Sequence, residues 1–388
     1  MKIVGKRNTM AAMFTYNWIS IPFRFAAPAL IAALCVGIWP TPAGAQALRL
    51  VADANISAGT VIDETSFNGL SGLFFDERRD LFYVVSDDRA THDHARFYTL
   101  AITTDNGRLH ITDGAVTFLT NHDGSHFPPG TIDFEGITML ANGNLLICGE
   151  GNRNRAIDPA IREFTIDGRL VRTWPLPGQF LGENTDNRGV RNNLGFESLT
   201  ATPDRRHIFA ATEQALIQDG DISGIYRGSV VRIITYNQHA TPIAQYLYQV
   251  EPWPAPDGLP RLIGGNGLVE LLALDEFHLL ALERAYLKSL DRNIIRLFMV
   301  DLTEAQDVSH IDSLANHDSP LTYANKQLIL DFDEILPELS PGFQSLDNIE
   351  GVSFGPPLAS GNGSLIFVSD GNFNPPQRTQ FLVFELLP

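Results

Sequence analysis

Acidic residues recur at the ends of paired apolar segments along this sequence. Five apolar segments each begin around a small polar or acidic residue, and each is followed by a second segment that ends in an acid. The first residues are Ser71, Glu135, Glu197, Glu270 and Glu350, and the last are Asp87, Glu150, Glu213, Glu283 and Asp370. Because the two ends of an antiparallel hairpin lie together, five hairpins around one axis would gather these side chains at a common site.

Such a group of carboxylates is unstable unless protons or cations neutralise it. Oxygen ligands suit calcium or magnesium rather than zinc. We therefore predict a site for Ca²⁺, with Mg²⁺ as the alternative. The predicted ligands are Asp87, Glu135, Glu150, Glu197, Glu213, Glu270, Glu283, Glu350 and Asp370. In the alternative interpretation, each acid accepts hydrogen bonds from backbone amides or pairs with an arginine, and the acids only stabilise the fold.

Two arginines follow acids at the ends of these segments. Arg89 comes directly after Asp88, and Arg284 comes after Glu283. The planar guanidinium group is suited to phosphate and carboxylate. We predict that Arg89 and Arg284 bind a phosphate and that Glu135, Glu197 and Glu350 take part in catalysis. The alternative is that the arginines neutralise neighbouring acids.

The first and last residues of each hairpin, two acids in four hairpins and a serine with an acid in the fifth, are expected to lie directly opposite each other. The segment Ala141-Asn142-Gly143-Asn144 contains the Asn-Gly pair that is favoured in two-residue hairpin turns. If Ala141 faces Asn144, then Glu135 faces Glu150. The same arrangement pairs Ser71 with Asp87, Glu197 with Glu213, Glu270 with Glu283 and Glu350 with Asp370.

Short apolar segments bounded by turn residues dominate the sequence after residue 45, which indicates an all-β chain. The repeats are long enough for four strands each. In the first repeat the predicted strands are 70–75, 81–86, 96–103 and 109–119. The last repeat ends after three strands, so we expect the segment Leu48 to Ala52 to supply the fourth and close a ring. The sequence therefore predicts a β-propeller of five blades, with six blades as the alternative and a β-sandwich as the main rival fold.

Residues 1–45 have the features of a signal peptide. Basic residues precede an apolar run from Ala26 to Trp39, and Ala43-Gly44-Ala45 resembles a cleavage site. The apolar run is short for a membrane span, which disfavours the alternative of a membrane anchor. We predict one propeller domain over residues 46–388, exported to the periplasm or secreted.

The chain is acidic, with a formal net charge of −17. This charge disfavours nucleic acid as a partner, and we expect neither stable membrane insertion nor a stable oligomer. Of the two cysteines, Cys35 lies in the predicted signal peptide, so Cys148 alone would remain and no intramolecular disulfide is expected. The expected partner is a small-molecule ester, most simply a phosphorylated one.

Several motifs together resemble the bacterial phytase-like family, which is described as carrying the esterase-like activity of phytase. They are Asp87-Asp88-Arg89, Asp133-Phe134-Glu135-Gly136-Ile137, Arg188 to Leu199, Glu283-Arg284, Asn348-Ile349-Glu350-Gly351 and Ser369-Asp370-Gly371-Asn372-Phe373. The resemblance covers residues 65 to 388 and implies an exported propeller whose acids serve phosphoester or phosphodiester hydrolysis. This sequence departs from the family's pattern at two places. Gly371 follows Asp370, and the second apolar segment of the second repeat ends in Cys148-Gly149-Glu150.

Two other functions fit the same acids. A single central cation in a propeller can serve the hydrolysis of lactones or carboxylic esters. A propeller can also bind calcium for stability alone and act as a non-catalytic binding module.

Overall fold

The computed structural model describes residues 48–105, 107–182, 187–253, 265–288 and 290–388, with the backbone alone at residue 113. The predicted signal peptide lies outside these residues. Nowhere in the described chain is there a helix of the length and apolarity needed to cross a membrane.

The strands form five four-stranded antiparallel sheets and one small hairpin among the described residues. The chain begins with β1 (Leu48–Ser57) and the hairpin β2 (Val61–Ile62) and β3 (Thr65–Ser66). Blade 1 contains β4 (Leu70–Asp76), β5 (Leu81–Ser86), β6 (Arg96–Asp105) and β7 (Arg108–Phe118). Blade 2 contains β8 (Phe134–Met139), β9 (Leu145–Gly149), β10 (Ala160–Phe164) and β11 (Leu170–Trp174).

Blade 3 contains β12 (Phe196–Ala201), β13 (His207–Thr212), β14 (Val230–Asn237) and β15 (Pro242–Gln249). Blade 4 contains β16 (Asn266–Ala273), β17 (His278–Leu287), β18 (Arg292–Asp301) and β19 (Asn325–Asp331). Blade 5 contains β20 (Asn348–Gly355), β21 (Ser364–Asp370) and β22 (Arg378–Leu386). Short 3₁₀ helices cover Arg153–Arg155, Gly178–Phe180 and Phe332–Glu338.

The N-terminal strand closes the ring. β1 pairs antiparallel with β22, from Leu48 opposite Leu386 to Ser57 opposite Arg378, and becomes the outermost strand of blade 5. The predictions of five blades and of closure by the N-terminal strand are confirmed. The predicted closing strand is too short, because the pairing continues to Ser57.

The hydrophobic core lies between the blades. Five buried apolar clusters fill the spaces between successive blades, and each draws residues from the facing sides of two sheets. Both faces of each sheet are therefore buried, which explains why many strands are continuous apolar runs rather than alternating ones. The first strand of each blade, β4, β8, β12, β16 and β20, contacts the first strand of the next, so these five strands line the axis.

Small residues let these inner strands approach closely. At Gly136 in β8, a Cβ atom would lie 2.6 Å from Leu199 Cβ and 2.7 Å from Leu199 N in β12. A Cβ atom added at Gly351 in β20 would likewise lie 2.4 Å from Ser71 O in β4. The glycine that follows the acid in these repeats is therefore required by the packing of the ring.

We expect Gly136→Ala to lower the free energy of unfolding by about 1 to 3 kcal/mol, because the added methyl group overlaps the backbone of blade 3. Urea denaturation followed by far-ultraviolet circular dichroism measures this. Gly178→Ala is the matched control, since no atom of the described residues lies within 4 Å of a Cβ there. Equal stability of the two variants would contradict this account of the packing.

Candidate metal and phosphate site

A β-bulge interrupts the inner hairpin of every blade at the acidic motif. In blade 2, Phe134 pairs with Gly149 and Ile137 with Ile147, so Glu135 and Gly136 together face Cys148. The register also shifts next to Ser71 in blade 1, at Glu197 in blade 3 and at Glu350 in blade 5. A bulge leaves an extra residue out of the ladder and redirects its side chain, and bulges are enriched next to active sites.

The predicted direct pairing of the two acids in each hairpin is wrong, for two reasons. The turn in blade 2 has three residues rather than two, because Leu140 N donates to Asn144 O and Gly143 adopts a φ of +86°. The bulge then shifts the register by one more residue. As a result Glu150 N donates to Asp133 O, and Asp370 pairs with Asn348, in each case two residues before the expected partner.

The structure nevertheless brings most of the predicted acids together at one end of the ring. We use the name mouth cluster for eight carboxyl groups whose charges act on one another: Asp87, Asp133, Glu135, Glu150, Glu197, Glu213, Glu350 and Asp370. One carboxylate oxygen from each of Asp133, Glu135 and Glu150 lies within 4.8 Å of the other two, and the same holds for Glu150, Glu197 and Glu213. Glu150 belongs to both groups of three and joins them.

Among the described residues, three glutamates of the mouth cluster lack the hydrogen-bond donors that usually support a buried carboxylate. Within the described chain, no backbone amide and no basic side chain donates a hydrogen bond to the carboxyl groups of Glu135, Glu197 or Glu213. Burial, followed by the charges of Asp133 and Asp87, raises the pKa of Glu135 well above its ordinary value. Burial, followed by the charges of Glu135 and Glu150, likewise raises the pKa of Glu197 well above its ordinary value. These carboxyl groups need protons or a cation.

The members of the mouth cluster differ in hydrogen-bond support. Glu150 Oε1 accepts a hydrogen bond from Gly195 N at 2.7 Å, yet burial and the charges of Asp133 and Glu213 raise its pKa to about 8. Burial raises the pKa of Glu213 to about 7, against the opposing charge of Arg284. Asp370 Oδ1 accepts from Asn372 N at 2.7 Å. Asp87 Oδ1 is shielded from solvent and has no hydrogen-bond partner in the described part of the chain.

Two predicted ligands, Glu270 and Glu283, are not brought to the mouth cluster. In blade 4 the extra residue of the bulge is Val269, so Glu270 stays in the ladder opposite Leu282. Its carboxyl group accepts hydrogen bonds from Leu271 N at 2.9 Å and from Leu199 N in blade 3 at 3.2 Å. Glu270 thus plays the alternative role considered from the sequence, that of a bridge between blades.

Glu283 lies inside a strand, because β17 continues past it to Leu287. It accepts hydrogen bonds from Tyr248 Oη at 2.7 Å, Lys326 Nζ at 2.7 Å and Asn266 Nδ2 at 2.6 Å. In blades 1 to 3 the corresponding strands end one residue before the acid, at Ser86, Gly149 and Thr212, so those acids are free to turn towards the axis.

Both predicted arginines reach the mouth cluster. Arg89 Nη2 lies 2.7 Å from Asp133 Oδ2 and also donates to Asn193 Oδ1. Arg284 Nη2 donates to Glu350 Oε1 at 2.5 Å, whereas Arg284 Nε is buried and has no hydrogen-bond partner among the residues that the structure describes. Burial opposes the charge of Arg284, but Glu350, Glu213 and Glu197 outweigh that effect and raise its pKa. With eight carboxylates and two guanidinium groups ionised, six negative charges would remain unbalanced.

Asp133 is the member of the mouth cluster that the sequence prediction did not include as a ligand. Its position two residues before Glu135 is the one that the bulge brings opposite Glu150. Asp88, in contrast, organises a loop, since it accepts from Arg96 Nη1 at 2.9 Å and from Asp93 N at 2.8 Å. Hydrogen bonds to Arg96 and to backbone amides outweigh burial and lower the pKa of Asp88.

A cavity of about 390 Å³ is lined by residues of blade 3 and of the loop between β18 and β19, and none of them belongs to the mouth cluster. Its lining includes Asp219, Leu314 and Tyr323. Asp219 is already paired with the buried Arg232, with Nε to Oδ2 at 2.6 Å, and it also accepts from Leu314 N. The cavity therefore offers no unsatisfied charged group, and the mouth cluster is the stronger candidate site.

The fold and the site define a five-bladed β-propeller with an acidic mouth. The chain matches the Phytase-like family, described as esterase-like activity of phytase, over residues 65–373, and it belongs to that family. The resemblance noted in the sequence is thereby confirmed. No curated protein matches the chain.

Several solved structures are similar at low identity. An endo-arabinase from Bacteroides thetaiotaomicron is 10% identical with a TM-score of 0.41, and the match covers 86% of this chain and 96% of that one. A putative glycoside hydrolase from Parabacteroides distasonis is 9% identical with a TM-score of 0.44, over 91% and 98% of the two chains. The Dos1 propeller is 10% identical with a TM-score of 0.31, over 82% and 67%. At these scores the similarities carry no argument about substrate or mechanism.

Proposed function

We propose that this protein is a metal-dependent hydrolase of phosphoric esters that acts at the mouth of the propeller. The observation that carries the proposal is that, among the described residues, the carboxyl groups of Glu135, Glu197 and Glu213 lie near other acids and accept no hydrogen bond from a backbone amide or a basic side chain. A set of oxygen ligands of this kind suits Ca²⁺, with Mg²⁺ as the alternative. Membership of the Phytase-like family supports ester hydrolysis as the reaction.

The two groups of three carboxylates would hold the cation, and the solvent-shielded Asp87 Oδ1 supplies a further oxygen without a partner. A bound divalent cation would supply Lewis-acid polarisation of the ester and lower the pKa of water. Arg284, whose side chain is 18% exposed, and the half-exposed Arg89 would bind the phosphate oxygens, because guanidinium groups form strong charge-assisted hydrogen bonds with phosphate. Without a cation, the excess of carboxylates would repel the substrate.

The test is the rate of hydrolysis of p-nitrophenyl phosphate by the purified protein, residues 46–388, after removal of divalent cations by a chelator. We expect no measurable turnover in the chelated protein and full recovery on addition of Ca²⁺ or Mg²⁺. Turnover that does not respond to cations would contradict metal dependence.

The same preparation distinguishes the other functions. Cleavage of p-nitrophenyl acetate but not of the phosphate would indicate a carboxylic ester or lactone hydrolase. A rise in Tm with Ca²⁺ and no cleavage of any ester would indicate a binding module. We also propose that the protein works outside the cytoplasm, where the predicted signal peptide would deliver it. Cell fractionation with an antibody tests this, and retention in the cytoplasm would contradict it.

A further inference from the structure

The residue that faces the last acid of each inner hairpin differs from blade to blade. In blade 2 it is Asp133, since Glu150 N donates to Asp133 O. In blade 5 it is Asn348, which pairs with Asp370. The corresponding residues of blades 1, 3 and 4 are Gly69, Gly195 and Leu268. Among these five described positions, those of blades 2 and 5 therefore carry the polar side chains, and the two side chains have the same shape but differ in charge.

Asn348 bridges the two acids of blade 5. Its Nδ2 donates to Glu350 Oε1 at 2.9 Å and, over a longer distance of 3.4 Å, to Asp370 Oδ2. An amide nitrogen carries two hydrogens and no acceptor, so it is the end of the side chain that can face two carboxylates. The residue is buried, and its backbone N donates to Asp347 Oδ1 at 3.0 Å. Each acid of blade 5 thus has a neutral donor directed at its carboxyl group.

The charges of the corresponding groups in blades 2 and 5 differ by one. The blade 2 set consists of Asp133, Glu135 and Glu150. The blade 5 set consists of Asn348, Glu350 and Asp370. Each set also holds one paired arginine, Arg89 in the first and Arg284 in the second. With the acids ionised, the blade 2 set keeps two unbalanced negative charges and the blade 5 set keeps one. A divalent cation would neutralise the first set but leave the second with excess positive charge.

The spacing of the carboxylates agrees with this difference in charge. In the blade 2 set, one oxygen from each acid lies within 4.8 Å of the other two, and Glu150 continues the group to Glu197 and Glu213 of blade 3. Among the described residues, no such group of three includes Glu350 or Asp370. In Asn348→Asp, a carboxylate oxygen would take the place of Nδ2 between these two acids, and the blade 5 set would then match the blade 2 set.

We propose that Asn348 is a positioning residue that keeps cations out of blade 5 and so confines them to blades 2 and 3. The inference rests on the proposed function. Because the amide supports Glu350 and Asp370 without adding charge, Glu350 stays paired with Arg284. A cation on blade 5 would instead compete with Arg284 for Glu350, and the guanidinium group that the proposed function assigns to phosphate would lose its partner.

The experiment counts the Ca²⁺ ions bound per chain, by isothermal titration calorimetry and by elemental analysis after gel filtration, in the wild type and in Asn348→Asp. We expect Asn348→Asp to bind one more Ca²⁺ ion than the wild type. Its kcat/KM for p-nitrophenyl phosphate at saturating Ca²⁺ should fall about tenfold, the value of one hydrogen bond to a charged group. A purely structural role of Asn348 would not combine additional calcium with lower activity.

Asn374→Asp is the matched control for the added charge. Asn374 lies in the loop between β21 and β22, where its side chain is exposed and donates to Gln377 Oε1 at 3.2 Å. We expect Asn374→Asp to bind the wild-type number of Ca²⁺ ions and to keep kcat/KM within about twofold of the wild-type value, as is usual for a surface substitution.

A second pair of variants tests the inference even if the additional buried charge prevents Asn348→Asp from folding. Asp133→Asn removes one charge from the blade 2 set, and its affinity for Ca²⁺ should fall roughly 100-fold because affinity depends on the number of charged ligands. The double variant Asp133→Asn/Asn348→Asp has the same net charge as the wild type. We expect it to recover most of the lost affinity, with the ion on blade 5.

The inference is overturned if Asn348→Asp folds and binds the wild-type number of ions, or if the double variant binds Ca²⁺ no better than Asp133→Asn alone. The proposed function stands in both cases as long as the wild type needs a cation to hydrolyse p-nitrophenyl phosphate. If the wild type binds neither Ca²⁺ nor Mg²⁺ and hydrolyses no phosphate, the proposed function and the inference fail together.

Discussion

Glu135→Gln and Glu197→Gln are each expected to lower kcat/KM for p-nitrophenyl phosphate by about 1,000-fold at saturating Ca²⁺. Both carboxyl groups lie in bulges of the inner strands, and within the described ranges both lie near other acids of the mouth cluster and accept no hydrogen bond from the backbone. An amide has the same shape but cannot supply the negative charge that a cation requires. The affinity for Ca²⁺, measured by isothermal titration calorimetry, should fall together with the activity.

Glu270→Gln is the control for this experiment. Glu270 occupies the same position in blade 4, but its carboxyl group is satisfied by Leu271 N and Leu199 N, and an amide oxygen can accept both bonds. We expect its kcat/KM and its calcium affinity to remain within about threefold of the wild-type values, which is the range of a neutral buried replacement. The assignment would be contradicted if Glu270→Gln were as inactive as the other two variants, or if those two kept wild-type activity with unchanged far-ultraviolet spectra.

The second large effect is a loss of stability of the cation-free protein as the pH rises. Folding raises the pKa of Glu150 from 4.5 to about 8. Between these two values the folded state keeps a proton that the unfolded state releases, so the free energy of unfolding falls as the pH increases. The shift of Glu150 corresponds to about 5 kcal/mol, and Glu213, with a pKa of about 7, acts in the same direction.

Thermal unfolding in the presence of a chelator, from pH 5 to pH 8, measures this effect. We expect Tm to fall by roughly 10 °C over that interval. Calcium binds the ionised carboxylates, so added Ca²⁺ should remove most of the loss and bind more tightly at pH 8 than at pH 5. Glu150→Gln should flatten the curve of the cation-free protein. A Tm that stays constant or rises with pH in the chelated wild type would show that the acids of the mouth cluster are not held protonated.

The fold could be predicted from the sequence because its main determinant is repetition. In the first repeat, the strands predicted from apolar runs and turn residues agree with the structure to within two residues at each end. The incomplete last repeat indicated that the segment beginning at Leu48 closes the ring, and this is confirmed. The hairpins also predicted that most acids lie together at one end of the ring, since this depends only on which ends of the strands are adjacent.

The details of the site could not be predicted, because they depend on single-residue shifts in register. A hairpin with a two-residue turn and no bulge would place Glu135 opposite Glu150. Neither the three-residue turn at Gly143 nor the bulge at Glu135 can be recognised in the sequence, because neither changes the hydrophobic pattern. Because of the same shift in register, Asp133 is absent from the ligands predicted from the sequence.

One signal in the sequence does separate blade 4 from the other blades. The residue after the acid, or after Ser71, is small in four repeats: Gly72, Gly136, Ser198 and Gly351. In the fourth repeat it is Leu271. That repeat is the one in which Val269 is the extra residue and the glutamate remains in the ladder. The size of this residue therefore predicts which glutamate turns towards the axis.

The most direct test of the central claim is a crystal structure of the protein grown with Ca²⁺, with anomalous diffraction data to identify the ion. The claim is that the carboxylates of the mouth cluster converge in order to hold a cation. We predict an anomalous peak bonded to oxygens of Glu135, Glu150 and Glu197, at the 2.3 to 2.6 Å typical of calcium. A well-ordered map in which these carboxyl groups bond only to one another, with no ion among them at saturating Ca²⁺, would contradict it.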